Sequence, residues 1–196
     1  MTTNICLILS WAPAILFGKK RIMKIRILYP LIVITFLISC KKDKLSIPRT
    51  PCTSTQLRLD GYYYEKYGTP ERWKVFFFYR DGAVFGGFTF LATERLNVER
   101  ELIDGSYSTN VKNEVSFWGL FKIDNTKIEF EKWYPVFGGT TQAYVFAGNI
   151  LNDTTFIIEE SYNMERNKKK DYRKENSTFH FRFLNPKPDS TNNVLK

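Results

Sequence analysis

The sequence predicts an all-β protein, an up-and-down antiparallel barrel of about eight strands, with an antiparallel sandwich as the alternative. Three observations predict it. Apolar and aromatic runs of strand length recur along residues 57–184, and turn dipeptides separate them at hairpin spacing. Several runs also alternate apolar with polar side chains, which is the period of a sheet with one wet face.

Residues 57–66 open the set. Strand 72–80 (RWKVFFFYR) meets strand 83–91 across Asp81-Gly82, a dipeptide that tolerates positive φ in a tight hairpin. The connection 93–105 fits neither period, and a short helix and a further strand are both open for its Leu96, Val98, Leu102 and Ile103. Strand 115–123 meets strand 127–134 across Asp124-Asn125. There Ile128 and Phe130 alternate with Lys127, Glu129 and Glu131, so the charged set is expected on a solvated strip. Strand 141–151 meets strand 154–162 across Asn152-Asp153, and residues 177–184 (STFHFRFL) close the set, with Phe179, Phe181 and Phe183 on one side. Closure into a barrel removes the exposed edges such a meander would leave. The charged run 163–176 is expected as an exposed loop between the last two strands, with a basic patch for acidic glycan or lipid headgroups as the sharper reading.

Strand 72–80 is apolar on both faces: Trp73, Val75, Phe77 and Tyr79 on one, Phe76 and Phe78 on the other. Its outer face must therefore be covered, by the 93–105 connection or by a partner protein or lipid.

Upstream of the body, Met23 begins a stretch with two cations, Lys24 and Arg26, then an apolar run, then Leu37-Ile38-Ser39-Cys40. Basic start, apolar middle and small-residue exit are the parts of a secretory signal peptide. The run from 27 to 39 is shorter than the roughly 20 apolar residues that cross a bilayer, and Pro30 interrupts it. Leu37, Ile38, Ser39 and Cys40 resemble the lipobox of bacterial lipoproteins. That resemblance implies that Cys40 becomes the first mature residue and carries acyl chains, with 1–39 removed. Translation is expected to start at Met23; a two-part leader beginning at Met1 is the alternative.

The formal charge of +9 suggests a nucleic-acid partner until it is located. Lys19, Lys20, Arg21, Lys24 and Arg26 lie in the leader, where there is no carboxylate, and cations and carboxylates balance between 57 and 184. No nucleic-acid face is expected. Of the cysteines, Cys6 lies in the leader, and the acylation that the lipobox resemblance implies for Cys40 would leave Cys52 without an intrachain partner. Residues 40–56, rich in Lys, Pro, Ser and Thr, read as a flexible tether, and 185–196 as a disordered tail. Lys41, Lys42 and Lys44 would meet anionic headgroups beside the acyl group.

Leu59-Asp60-Gly61-Tyr62-Tyr63 resembles the opening of lipocalins, with Tyr63 where their tryptophan stands. Residues 118–123 with 128–131, and 144–156 with the Asn152-Asp153 turn, are similar to hairpins of small lipocalin-like bacterial lipoproteins. The resemblance implies a lipid-anchored barrel of the cell envelope, at the outer membrane, that binds a small apolar or amphipathic ligand. It also implies a closing-strand arginine, Arg182, packed over Tyr63; an outward-pointing cation between Phe181 and Phe183 is the alternative. If the barrel is hollow, a loop carrying Trp133, Tyr134, Pro135 and Phe137 flanks its mouth, with Tyr62, Tyr64, Phe130, Tyr144 and Phe146 nearby or inside. Aromatic side chains that simply fill the barrel would make it an interaction or structural component of an envelope complex instead.

No enzyme is expected. His180 is the one imidazole and has no nucleophile-elbow sequence to accompany it. Glu159 and Glu160 point to opposite faces, so they are no carboxylate pair. Gly86-Gly87 and Gly138-Gly139 lack the lysine and helix of a phosphate loop, and one histidine with one free cysteine assembles no metal cluster, so neither cofactor nor metal is expected.

Overall fold

The computed structural model describes residues 44–136, 141–165 and 168–195. The leader 1–39, the lipobox residues with Cys40, and Phe137 lie outside them.

Eight antiparallel strands close into a barrel in sequence order: β1 (Gly61–Tyr67), β2 (Arg72–Phe78), β3 (Ala83–Leu91), β4 (Trp118–Asp124), β5 (Lys127–Pro135), β6 (Thr141–Asn152), β7 (Thr155–Glu165) and β8 (Lys168–Phe183), with β8 hydrogen-bonded back to β1. The hairpin expected at Asp81-Gly82 forms, and Gly82 supplies the positive φ of 83°. The undecided connection folds as helix, α1 (Arg95–Asp104) and α2 (Ser106–Val111). Arg95 through Asp104 holds no glycine, proline or long β-branched run, and the chain leaves α1 through Gly105 in the left-handed region.

The expected loop 163–176 is a correction. Most of it extends β7 and β8, which pair as far out as Glu165↔Lys168. Composition alone suggested a loop, but β7 and β8 ladder to each other here, from Glu160↔Lys174 out to Glu165↔Lys168, and the exposed residues 168–174 suit a strand extension that stands in water.

Alternation divides the apolar residues into two cores. Tyr63, Phe76, Phe78, Val84, Phe121, Ile128, Phe130, Ile150, Phe156, Ile158 and Phe179 come from all eight strands and form one cluster, which is therefore the barrel interior. Its rings interlock: Phe78 meets Phe121, Phe130 and Phe156 edge-on at 5.0–5.7 Å, and Phe156 stacks on Phe179 at 4.9 Å. The second cluster lies on the outer wall of β1–β6, where Val98 and Leu102 of α1, with Tyr107 and Val111 of α2, cover Trp73, Val75, Phe77, Phe85 and Phe88. The helical connection is thus the cover that the two-faced strand demanded. Glu99 fastens it, accepting from the Tyr62 hydroxyl at 2.6 Å and pairing with Arg182 on β8.

The flanking segments correct two further expectations. The described part of the presumed tether, 44–56, and the presumed disordered tail both lie on the barrel. Glu131 does not face a solvated strip; it is 1% exposed, and its carboxylate accepts from the Ser46 and Ile47 backbone amides. Cys52 N–H donates to the Arg80 carbonyl at 2.8 Å, and Leu57 and Leu59 pack into the interior cluster at the end bearing the Asp81-Gly82 hairpin. From the tail, Leu195 joins the outer core, and the Lys187 ammonium donates to the carbonyls of Leu59 and Phe78 at 2.7 Å each. Composition could not reveal this, because isolated anchors such as Ile47 and Leu195 carry no periodic signal.

Replacing Glu131 by Ala strands those two amides. We expect a loss of about 1.5–3 kcal/mol, the value of hydrogen bonds to a charged group. Amide exchange at 46–47 should accelerate while β5 stays protected; unchanged exchange there would show that other contacts hold the strap.

Candidate functional site

One end of the barrel is sealed and the other is not. Leu57 and Leu59 close the first, and Arg58 N–H donates to the Asp153 carbonyl across it at 2.9 Å. At the opposite end an open pocket of about 320 Å³ is lined by Lys74, Tyr134, Tyr144, Phe146, Ser161, Arg173 and Glu175, with Pro135 and Val136 at its rim. These residues reach one place because each continues the inward-facing parity of its strand: Lys74 from Phe76 on β2, Tyr134 from Phe130 on β5, Tyr144 and Phe146 on β6. Opposite Phe146 stands Ser161 of β7, and opposite Ser161 stands Arg173 of β8.

The floor is aromatic and closed. Phe146 stacks on Phe130 with centroids 5.0 Å apart and planes inclined by 15°, and Phe130 meets Phe76 at 5.0 Å. Phe130 and Phe76 are fully buried, so the pocket ends at Phe146 and does not run down the barrel axis. Tyr134 lies 5.8 Å from both Phe146 and Tyr144, which leaves a wall of half-buried ring faces.

The electrostatics of this end are unbalanced. Lys74 Nζ lies 5.7 Å from both the Phe76 and Phe146 rings, and among the described residues neither Lys74, Lys132 nor Arg173 forms an ion pair. The one lining carboxylate, Glu175, accepts from the Ser161 hydroxyl at 2.6 Å. Lys132 lies beneath Tyr134, 2% exposed, with Nζ 5.0 Å from the Tyr134 ring and 5.5 Å from the Phe76 ring. Its ammonium donates to the Gly86 carbonyl at 2.6 Å.

That bond has a structural cause. The β3–β4 ladder ends at Phe85↔Trp118, and a bulge opposite Val75/Phe76 places Gly86 at φ 139°, so the Gly86 carbonyl is left for the lysine. Burial, with Lys74 as the neighbouring cation, lowers the Lys132 pKa to about 7. Burial pushes the Tyr134 phenol up, and Glu175 adds to it; the Tyr144 phenol is likewise raised, by burial and then by Asp171.

The sequence-predicted residues separate sharply. Tyr144 and Phe146 line the pocket and Phe130 backs its floor. Tyr62, Tyr64 and Trp133 do not belong to it: they lie in or against the outer core, where Tyr64 stacks on Trp73 at 4.1 Å. Parity is the reason, since Tyr63 and Phe130 face inward and their neighbours cannot. The implied packing of Arg182 over Tyr63 is also corrected. Arg182 stands opposite Tyr62 and pairs with Glu99 outside, while Tyr63 is inside and donates its hydroxyl to the Asp153 carbonyl at 2.8 Å. Of the stretch expected to flank the mouth, Tyr134 and Pro135 do line the pocket. Sequence reasoning missed Lys74, Lys132, Ser161, Arg173 and Glu175. Alternation from Phe130 would have found Lys132; Arg173 and Glu175 were hidden in the run taken for a loop.

Two other hollows are less suited to a small ligand. One of about 340 Å³ lies under residues 50–56 beside Phe121 and Ile123, walled mainly by Thr, Ser and Gln side chains. A wider groove of about 620 Å³ on the wall of β5–β8 is lined by charged pairs of both signs, among them Lys127, Glu129, Glu160 and Lys174. His180 is exposed, 6.1 Å from the Tyr64 ring. In comparisons with protein-family models, curated proteins and solved structures, the chain matches none.

Proposed function

We propose that this chain is a non-enzymatic, lipid-anchored binding protein of the cell envelope, acylated at Cys40, whose lipocalin-like barrel takes a small amphipathic ligand in its open mouth. The observation that supports binding is the pocket itself: a concave end of about 320 Å³ that combines half-buried aromatic faces with a few convergent polar groups. The envelope location is supported by the basic start, apolar run and lipobox-like Leu37-Ile38-Ser39-Cys40, and the outer membrane is the proposed site. A second reading, a structural or interaction component of an envelope complex, is supported by the filled lower barrel, since its interior rings are buried to 1% exposure or less.

Native mass spectrometry of the full chain, extracted from its own membranes in mild detergent, tests both parts. The expected result is a polypeptide that begins at an acylated Cys40 and retains a noncovalent small molecule. An unacylated chain with residues 1–39 intact would overturn the anchoring. A bare barrel bound stoichiometrically to another protein would favour the second reading.

A further inference from the structure

Resting on the binding reading above, we propose that the mouth selects a compact aromatic carboxylate, with its ring against Tyr134, Tyr144 and Phe146 and its acid group toward Lys74 and Arg173. Shape carries the first half. The pocket floor is closed by the Phe146–Phe130–Phe76 stack, so an extended acyl chain has no channel to follow. What the pocket offers instead is ring surface, held at centroid spacings of 5.0–5.8 Å, over which a flat aromatic ligand extends the stack.

Charge carries the second half. Lys74 and Arg173 line the same pocket without an ion pair among the described residues, while Glu175 is engaged by Ser161. Lys132 lies below, enclosed by protein, with the Gly86 carbonyl as its one hydrogen-bond acceptor among the described residues. An anion entering the mouth meets two lining cations, Lys74 and Arg173, against the single lining carboxylate Glu175, so among the described residues the lining carries a net positive charge. A neutral aromatic gains only the stacking, and a cationic one is repelled.

Isothermal titration of the delipidated full chain with 2-naphthoate, 2-naphthylmethanol and palmitate tests this. The expected order is naphthoate first, the alcohol weaker by about tenfold or more, as the loss of a charge-assisted contact implies, and palmitate without measurable binding. The double variant Lys74→Gln/Arg173→Gln, altered only at half-buried and exposed positions, should weaken naphthoate by about tenfold and leave the alcohol within about twofold. Equal affinity of acid and alcohol overturns recognition of the anion while leaving the binding reading intact. Palmitate binding more tightly than naphthoate overturns the compact class. Failure of all three ligands to bind overturns the binding reading itself.

Discussion

Replacing Phe130 by Ala should lower the unfolding free energy by about 3–5 kcal/mol, the range for truncating a buried phenylalanine. Phe130 has no exposed surface and touches rings in three directions: Phe76 at 5.0 Å, Phe78 at 5.7 Å and Phe146 at 5.0 Å. The upper end of the range is expected because the wall cannot collapse inward. Residues 127–135 are laddered to β4 on one side and β6 on the other, with Phe121 and Phe146 directly opposite Phe130. A cavity left there stays open. The same change removes the partition between the mouth and the filled interior, so the variant should acquire affinity for palmitate that the parent chain lacks. Urea denaturation measures the first effect, and Phe130→Leu provides a milder variant should the alanine chain prove too unstable to study. A loss below about 1 kcal/mol would mean that the interior is loosely packed, which would undo the argument for a closed floor.

The second large effect is a stability that rises from neutral to alkaline pH. Lys132 has a pKa near 7 in the fold and an ordinary value of 10.5. Between those limits the unfolded chain keeps the proton that the folded one has shed. The unfolded state therefore binds more protons, and unfolding free energy increases with pH. From pH 7 to pH 9.5 this residue alone contributes an increase of about 3 kcal/mol. Lys187, lowered by burial to about 8, acts in the same direction over the window from 8 to 10.5. Above pH 10 the sign reverses, because burial raises the phenols of Tyr62, Tyr63, Tyr79 and Tyr134 and the unfolded chain then ionises first. Maximum stability is thus expected between about pH 9 and 10, above the usual range for globular proteins. Lys132→Met should be more stable than the parent at pH 7, where it removes a buried cation, and should lose most of that advantage by pH 9.5. Denaturant midpoints at the two pH values decide the matter. A parent chain that weakens from pH 7 to 9.5 would mean that Lys132 keeps its proton in the fold.

The strands were legible where alternation and turn residues coincide. The run 83–91 is β3 to the residue, and the 72–80 and 127–134 runs come within two residues of β2 and β5 at each end. Where those signals fail, so does the reading. The charged stretch 163–176 resembles solvent-exposed loop in composition, yet it is paired strand, and it carries two of the residues that line the mouth. The candidate site was half legible for a different reason. Aromatic content pointed to Tyr144, Phe146 and Phe130, but the same criterion also selected Tyr62, Tyr64 and Trp133, which parity sends outside.

By itself, the sequence determined the all-β class, the hairpin order and the need to cover the outer face of β2, because these follow from local propensity and period along a single strand. It also carried the lipobox-like Leu37-Ile38-Ser39-Cys40, on which the proposed anchoring stands. Only the tertiary structure decided that the barrel is filled to Phe146, that Glu131 is a buried clamp and that Lys132 shares one end with Lys74 and Arg173. Those facts depend on which residues from distant strands face each other across the closed sheet. That register is set by bulges and by where ladders end, and neither is written in any one stretch of chain.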